Sequence, residues 1–414
     1  MKVLIISKYD IEGGAAIAAY RLHMSLIASG VDSCMLVQKK LSQEPTILTS
    51  KSFIQKVLNS LSYYFDQLPV YLYKNKSPYL FSPSWYSSGD ILKQINKHNA
   101  DVVHIHWSCK GMLSISDIKK IRSPVLFTMH DSWLFTGGCH IPWECKKYKQ
   151  SCGACPELAS NRTNDLSRKI FIKKKVLYST KKDVTLVAVS KWLQDCTKNS
   201  TLFKNKEVHC IPNAINTDEY YPVKKSFAKS ILRLNPKNKL ILFGALSATS
   251  DLNKGYEELK LALDKLSSSN IEIAIFGSDR PKNASFSKYK THYYGRLDCL
   301  KTLRNLYSAA DVMVVPSKME AFGQTASEAL ACGTPAVIFD TTGLRDIVDH
   351  KINGYVAKCF DTDDLATGIE WILNSEDYES LTKNSREKVI RCFDSSVVAE
   401  QYKELYKNAL MKSE

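Results

Sequence analysis

Along this chain, short unbroken apolar runs alternate with longer stretches in which apolar residues recur every three or four positions. That is the pattern of strands buried on both faces alternating with one-sided helices. The opening predicts a strand over 3–6, a loop through Gly13-Gly14, and a helix from Ala15 with Ile17, Leu22, Leu26 and Ile27 on its apolar face, stopping at Gly30. Further strands are expected over 34–37, 101–105, 125–129, 184–189 and 208–211. The turn formers of Pro212-Asn213-Ala214-Ile215-Asn216-Thr217-Asp218 then interrupt the periodicity and mark a linker. A second alternation follows, with strands over 240–243, 271–276, 312–315 and 336–339 and helices over 254–267, 298–310, 322–332 and 361–373. Beyond about 376 the pattern is helical, with Tyr402, Leu405, Tyr406 and Leu410 at helical spacing. The fold class is therefore α/β: two doubly wound domains, 1–212 and 213–385, with a cleft expected between them, and a helical tail, 386–414.

The chain has 414 residues, enough for two domains that each bury a core. Its 57 Lys and Arg against 42 Asp and Glu give a net charge of +15, which favours an anionic partner: nucleic acid, phospholipid or a phosphorylated substrate. The basic residues are interleaved with acids, and the tightest run is Lys173-Lys174-Lys175, so a nucleic-acid footprint is not expected. Residues 3–7 are too short an apolar run for a signal-peptide core, and no later run reaches the roughly 18 apolar residues of a spanning helix. The expectation is a cytoplasmic protein with its twelve cysteines reduced.

The richest stretch is DVMVVPSKMEAFGQTASEALACGTPAVIFDTTGLRD, residues 311–346. Its strand ends at Pro316, Glu320 lies in the loop, and Ala321-Phe322-Gly323-Gln324 leads into a helix carrying Glu328, before Gly333-Thr334-Pro335 restarts a buried strand. Amides at such a helix start suit a phosphate, and the two carboxylates suit sugar and ribose hydroxyls, Glu328 facing back over the cleft. As isolated residues, Glu320 is an ordinary first-turn acid and Glu328 a solvated helix position.

The block resembles the donor-binding signature of glycosyltransferase family 4, in which two Glu are separated by seven residues and the first is followed by a residue pair and a Gly. The resemblance spans nearly the whole chain. It implies the GT-B architecture, two Rossmann-like domains with the tail returning to the first, and retaining, metal-independent transfer of a sugar from a nucleotide diphosphate sugar. It also implies an acceptor that is a growing, lipid-linked glycan of bacterial surface polysaccharide, of the colanic acid, O-antigen or capsule type. In that frame Lys254 of Lys254-Gly255 neutralises the leaving diphosphate, Glu320 contacts the donor sugar and Glu328 the ribose, with Ala321, Phe322, Gly323 and Gln324 lining the donor site. Family members often carry an Arg a few residues before the Lys; here none lies between Gly244 and Lys254, and Arg296 either substitutes for it or merely faces solvent.

Gly13 and Gly14 let backbone amides approach an anion, and the resemblance implies a glycine-rich loop here facing donor phosphate and acceptor, with Gly14 on the donor side and Gly13 on the acceptor side. His130, ending the strand over 125–129, is placed by the resemblance near the transferred sugar, while His106 and Trp107 are candidates for the acceptor side and His104 for the core. Cys139, Cys145, Cys152 and Cys155 fall in one loop, 137–156. Four thiolates there suit a structural Zn²⁺, with redox chemistry and unligated thiols as alternatives. Asp361-Thr362-Asp363 reads as a helix cap rather than a metal triplet. The segment 53–76 mixes lysines with Phe, Tyr, Leu and Val, and suits either an anionic membrane surface, making the protein peripheral there, or a helix pair packed on the first domain. A basic zinc-containing nucleic-acid-binding protein and a sugar-nucleotide epimerase or hydrolase are the alternatives to transfer.

Overall fold

The computed structural model describes residues 1–281 and 288–412. The chain divides into two units, Met1–Pro212 together with the segment from Val398 on, and Asn213–Val397.

In the first unit β1 (Lys2–Tyr9) leads into α1 (Gly14–Ala28), followed by β2 (Asp32–Lys39), the two-residue β3 (Ile47–Leu48), α2 (Phe53–Tyr71) and α3 (Asp90–His98). Then come β4 (Val102–Trp107), α4 (Ile115–Lys119), β5 (Val125–Met129), α5 (Leu166–Thr180), β6 (Val184–Ala188), α6 (Lys191–Lys198) and β7 (Val208–Cys210). The strands pair in the order β3-β2-β1-β4-β5-β6-β7, all parallel. A parallel sheet covered by helices asks for apolar residues on both faces, and β5 is buried at all five positions.

The second unit repeats the plan: α7 (Lys225–Ile231), β8 (Lys239–Gly244), α8 (Tyr256–Lys265), β9 (Ile271–Phe276), β10 (Lys290–Tyr293), α9 (Leu300–Ala309) and β11 (Val312–Val315). It continues with α10 (Gln324–Ala331), β12 (Ala336–Phe339), β13 (Gly354–Ala357), α11 (Thr362–Leu373) and α12 (Tyr378–Cys392). The strand order is β10-β9-β8-β11-β12-β13, again all parallel. Asp361 caps α11, its carboxylate accepting the amides of Asp363 and Asp364. Among the described residues no helix is long and apolar enough to cross a membrane.

In each sheet the chain lays strands outward in one direction and then in the other, so the order reverses between β1 and β4 and between β8 and β11. At such a point successive crossovers leave to opposite faces and the loops part at the carboxyl ends of the strands, opening a crevice. Both units therefore place their ligand-facing loops after these strands.

The last helix, α13 (Ser395–Met411), joins the first unit from Val398 on rather than from 386. Arg386 shows why residues before 398 remain with the second unit: its guanidinium donates to the carbonyls of Thr217 and Ala331, both at 2.8 Å. Further on, the Tyr406 hydroxyl lies 2.7 Å from His104 Nδ1 and the Tyr402 hydroxyl 2.8 Å from Thr128 Oγ1, with His104 Nε2 2.8 Å from that same oxygen. All four residues are buried, so the tail satisfies polar atoms beneath the sheet that would otherwise lack partners.

The first unit also buries His23, bonded at 2.8 Å to Ser33 Oγ and at 2.8 Å to Thr46 Oγ1. Burial lowers His23 and His130 from 6.5 to about 4, and His104 and His106 lie well below 6.5 for the same reason. Unfolded, these rings protonate near pH 6.5; folded, they stay neutral to much lower pH. Their contribution is therefore complete above 6.5 and lost as pH falls through about 4. We expect the first unit's unfolding free energy to drop by about 3 kcal/mol for each of His23 and His130 across that window. Urea titrations followed by tryptophan fluorescence check this, since Trp85, Trp107, Trp133, Trp143 and Trp192 all belong to that unit; a flat profile from pH 7 to 4 rules it out.

Candidate active site

In the second unit the loop after β8 ends in Asn253-Lys254-Gly255, and the loop after β11 carries Lys318-Met319-Glu320. Asn253 stitches them. Its side chain donates to the Met319 carbonyl at 2.8 Å and accepts the Met319 amide at 3.0 Å, while its own carbonyl accepts the Lys318 amide at 2.9 Å. Gly255, at φ +74°, lies so close to Pro316 that a Cβ there would run into the Pro316 carbonyl oxygen.

The result is a Lys254 Nζ to Glu320 Oε1 contact of 2.6 Å. Burial works against the Lys254 ammonium, but the Glu320 carboxylate outweighs it and holds the pKa above the ordinary lysine value. Lys254 is thus a fixed cation. One of its three donors goes to Glu320 and the geometry leaves two to meet an anion. The Glu320 amide is held in turn by Thr342 Oγ1 at 2.9 Å, and its carbonyl accepts the Gly343 amide at 2.9 Å.

Ala321 and Phe322 continue into Gly323, which caps α10 without a side-chain hydrogen bond. Phe322 is buried, edge-on to Phe393 at 5.4 Å between ring centroids. Gln324 begins the first turn of α10, whose leading amides and dipole carry partial positive charge, and the side chains of Leu344 and Ile347 pack against Gly323 at that end. Glu328 lies differently from the expectation. It is buried within the unit, its Oε2 accepting the Tyr307 hydroxyl at 2.7 Å, because α10 packs this face inward instead of leaving it over open surface. Arg296 is not drawn to the cluster; its guanidinium is exposed and pairs with Asp298 at 2.9 Å.

In the first unit Gly13 ends the loop after β1 at φ +91°, with open space where a Cβ would stand. At the carboxyl ends of β4 and β5, His106 Nδ1 lies 2.8 Å from His130 Nε2 and the rings stack at 5.1 Å. Burial keeps His130 neutral at physiological pH, although Asp131 pulls the other way. Trp107 Nε1 donates to Asp131 Oδ2 at 3.1 Å, and His140 Nδ1 lies 2.7 Å from the same oxygen. Burial opposes the Asp131 charge, but His140, the Trp133 amide and Trp107 together hold its carboxyl below the usual range. His106, Trp107, His130, Asp131 and Trp133 line one small cavity.

Cys139, Cys145, Cys152 and Cys155 line a second cavity in the same unit. Burial pushes Cys152 up to about 12 and Cys155 up to about 11, and Cys139 is raised as well. Among the described residues no three His, Cys, Asp or Glu side chains are grouped as a metal's donor set. Asn253, Thr342 and Tyr307 are the site-forming residues that sequence reasoning missed. Asn253 stands directly before Lys254-Gly255, and that adjacency was the available signal.

A model described as Glycosyltransferase Family 4 matches residues 12–219, and one described as Glycosyl transferases group 1 matches residues 224–388. Among curated proteins, the chain is 28% identical over 289 residues to an uncharacterized glycosyltransferase of Methanocaldococcus jannaschii, covering 66% of this chain and 70% of the relative. It is 26% identical over 219 residues to N,N'-diacetylbacillosaminyl-diphospho-undecaprenol alpha-1,3-N-acetylgalactosaminyltransferase of Campylobacter jejuni, covering 50% of this chain and 56% of that protein. Among solved structures, sucrose-phosphate synthase of Thermosynechococcus elongatus superposes with a TM-score of 0.71 at 20% identity, over 100% of both chains. That likeness shows the two-domain α/β GT-B fold.

Replacing Asn253 with Ala removes both side-chain hydrogen bonds to Met319 while keeping the backbone one. Leaving a fully buried peptide group unpaired costs about 1–3 kcal/mol; the Met319 groups are part-buried, so Asn253→Ala should lower the second unit's stability by about 1–3 kcal/mol in denaturant titration. A loss under about 0.5 kcal/mol would show that the loops hold together without it.

Proposed function

The chain belongs to glycosyltransferase family 4, and on that footing we propose that it transfers a sugar from a nucleotide diphosphate sugar to a growing, lipid-linked glycan of bacterial surface polysaccharide. Its glycosyltransferase character is established by the family match; the donor, the acceptor, retention of configuration and the cytoplasmic membrane face as the place of work are our reading. The observation that carries it is the Lys254–Glu320 pair, whose carboxylate lies in the loop that leads into the N-terminal end of α10.

In transfer, negative charge grows on the departing diphosphate as the glycosidic bond breaks. Lys254 and the first-turn amides of α10 supply fixed positive charge at that place, and they need no reorganisation as the charge develops. In this reading they do the electrostatic work that a divalent cation does at other phosphate-transfer sites. Glu320 has a second role besides fixing Lys254, since its carboxylate accepts hydroxyls of the donor sugar. Tyr307 fixes Glu328 from inside the unit. In the first unit, neutral His130, steadied by His106, is suited to hold a hydroxyl without adding charge, and Gly13 leaves room for a ligand after β1. The lipid-linked acceptor is supported by the Campylobacter relative, whose name specifies an undecaprenol diphosphate-linked one.

Lys254→Ala and Glu320→Gln should each lower sugar transfer by about 10²–10³-fold, the cost of removing one transition-state donor or its support. The circular dichroism spectrum should stay unchanged. Release of nucleoside diphosphate, measured across UDP-, GDP-, ADP- and dTDP-sugars with an undecaprenyl diphosphate-linked acceptor, checks this. Wild-type rates in either variant would discredit the site, and the absence of calorimetric binding of every nucleoside diphosphate by folded protein would discredit the reading as a whole.

A further inference from the structure

Helix α2 is turned inside out. A surface helix ordinarily buries its apolar stripe and shows its polar face to water. Here the inward face carries Asn59, Ser62, Asp66 and Gln67, all buried. Asn59 donates to Ser50 Oγ at 3.1 Å and its carbonyl accepts Gln38 Nε2 at 2.9 Å; Asp66 accepts the Trp85 amide at 2.9 Å. These bonds fix the rotation of the helix, so the opposite face cannot turn inward. That face shows Phe53 at 79% exposure, Ile54 at 71%, Tyr64 at 60%, Leu68 at 51% and Leu72 at 82%. At 100° per residue they fall within an arc of about 100°, along a helix about 28 Å long. Leu61 lies within the same arc and is exposed too.

An apolar stripe of this kind marks an interaction site, and its surroundings choose the occupant. Lys51, Lys56 and Lys74 are exposed around the stripe, and the single carboxylate of residues 51–76, Asp66, is buried on the other side. Exposed Trp85 lies alongside, its indole N–H donating to the Asp66 carbonyl at 2.9 Å. Apolar centre, aromatic margin and cationic flanks are the composition of a helix that lies in the headgroup layer of an anionic bilayer. A twofold pairing with a second copy would set these lysines against one another with no exposed acid in the segment to meet them.

We infer that α2 docks the protein on an anionic lipid bilayer, lying parallel to the surface with Ile54, Leu61 and Leu68 toward the acyl chains. This deepens the lipid-linked acceptor reading above by naming the surface on which that acceptor would be met. Its evidence and its test use no sugar transfer, so either can fail without the other.

Full-length protein is to be floated with phosphatidylcholine vesicles, with and without phosphatidylglycerol, alongside a variant carrying Ile54→Glu, Leu61→Glu and Leu68→Glu and another carrying Lys51→Glu, Lys56→Glu and Lys74→Glu. We expect the wild type to bind the anionic vesicles, the apolar-face variant to bind them at least about tenfold more weakly, and the lysine variant to lose the preference for phosphatidylglycerol. Far-ultraviolet circular dichroism should be unchanged in both, because every substituted side chain is exposed. Absence of wild-type binding to either vesicle overturns the inference, as does full binding by the apolar-face variant. A concentration-dependent dimer in sedimentation velocity that the apolar-face variant abolishes, without vesicle binding, overturns it in favour of a second copy.

Discussion

An ammonium and a carboxylate 2.6 Å apart, in the loops before α8 and α10, organise the second unit. The pair exists only because two loops from neighbouring strands touch backbone to backbone. Gly255 removes the Cβ that would strike Pro316, and Asn253 takes up the peptide groups that this approach would otherwise strand. Strand order comes first in this chain of causes. The reversal between β8 and β11 opens the loops apart from the sheet, and the Asn253 stitch closes them on each other at one place. The charge on Lys254 then follows from its partner rather than from solvent.

The first unit uses the same topological opening but fills it with neutral polar groups. His130 and His106 are driven neutral by burial, and the one carboxylate nearby, Asp131, spends its acceptor capacity on Trp107, His140 and the Trp133 amide. The two units thus present different electrostatics on one architecture, a fixed cation beside a helix terminus in one and a hydrogen-bonding ring pair in the other.

Much of this was legible in the sequence, for a reason tied to burial. Strands covered on both faces are continuous apolar runs, so β5, β9, β11 and β12 have the same bounds in sequence and structure. The strands that escaped notice lack that signature: β3 has two residues, β10 is the half-exposed edge run Lys290–Tyr293, and β13 opens on Gly354. Residue types at the site could be read, but the direction of a side chain could not. Glu328 turns into Tyr307, and Arg296 turns to Asp298, because local packing decides each. For α2 the composition gave the mixture of lysines and apolar residues over 53–76 but not its facing, which is set by polar partners far away in sequence, such as Gln38 and Trp85.

The tyrosines of α13 bear on how the molecule is made. Residues from Val398 on belong to the first unit, and they leave the ribosome only after the whole second unit. A nascent chain that has finished β7 still lacks the hydroxyls of Tyr402 and Tyr406, so His104 Nδ1 has no partner and Thr128 Oγ1 keeps only His104 Nε2. The second unit, complete at Val397, has every residue it needs before the first does. Synthesis therefore runs against the usual amino-terminal-first order of domain folding, and a protein cut short by even its final helix would lose the integrity of its opening domain.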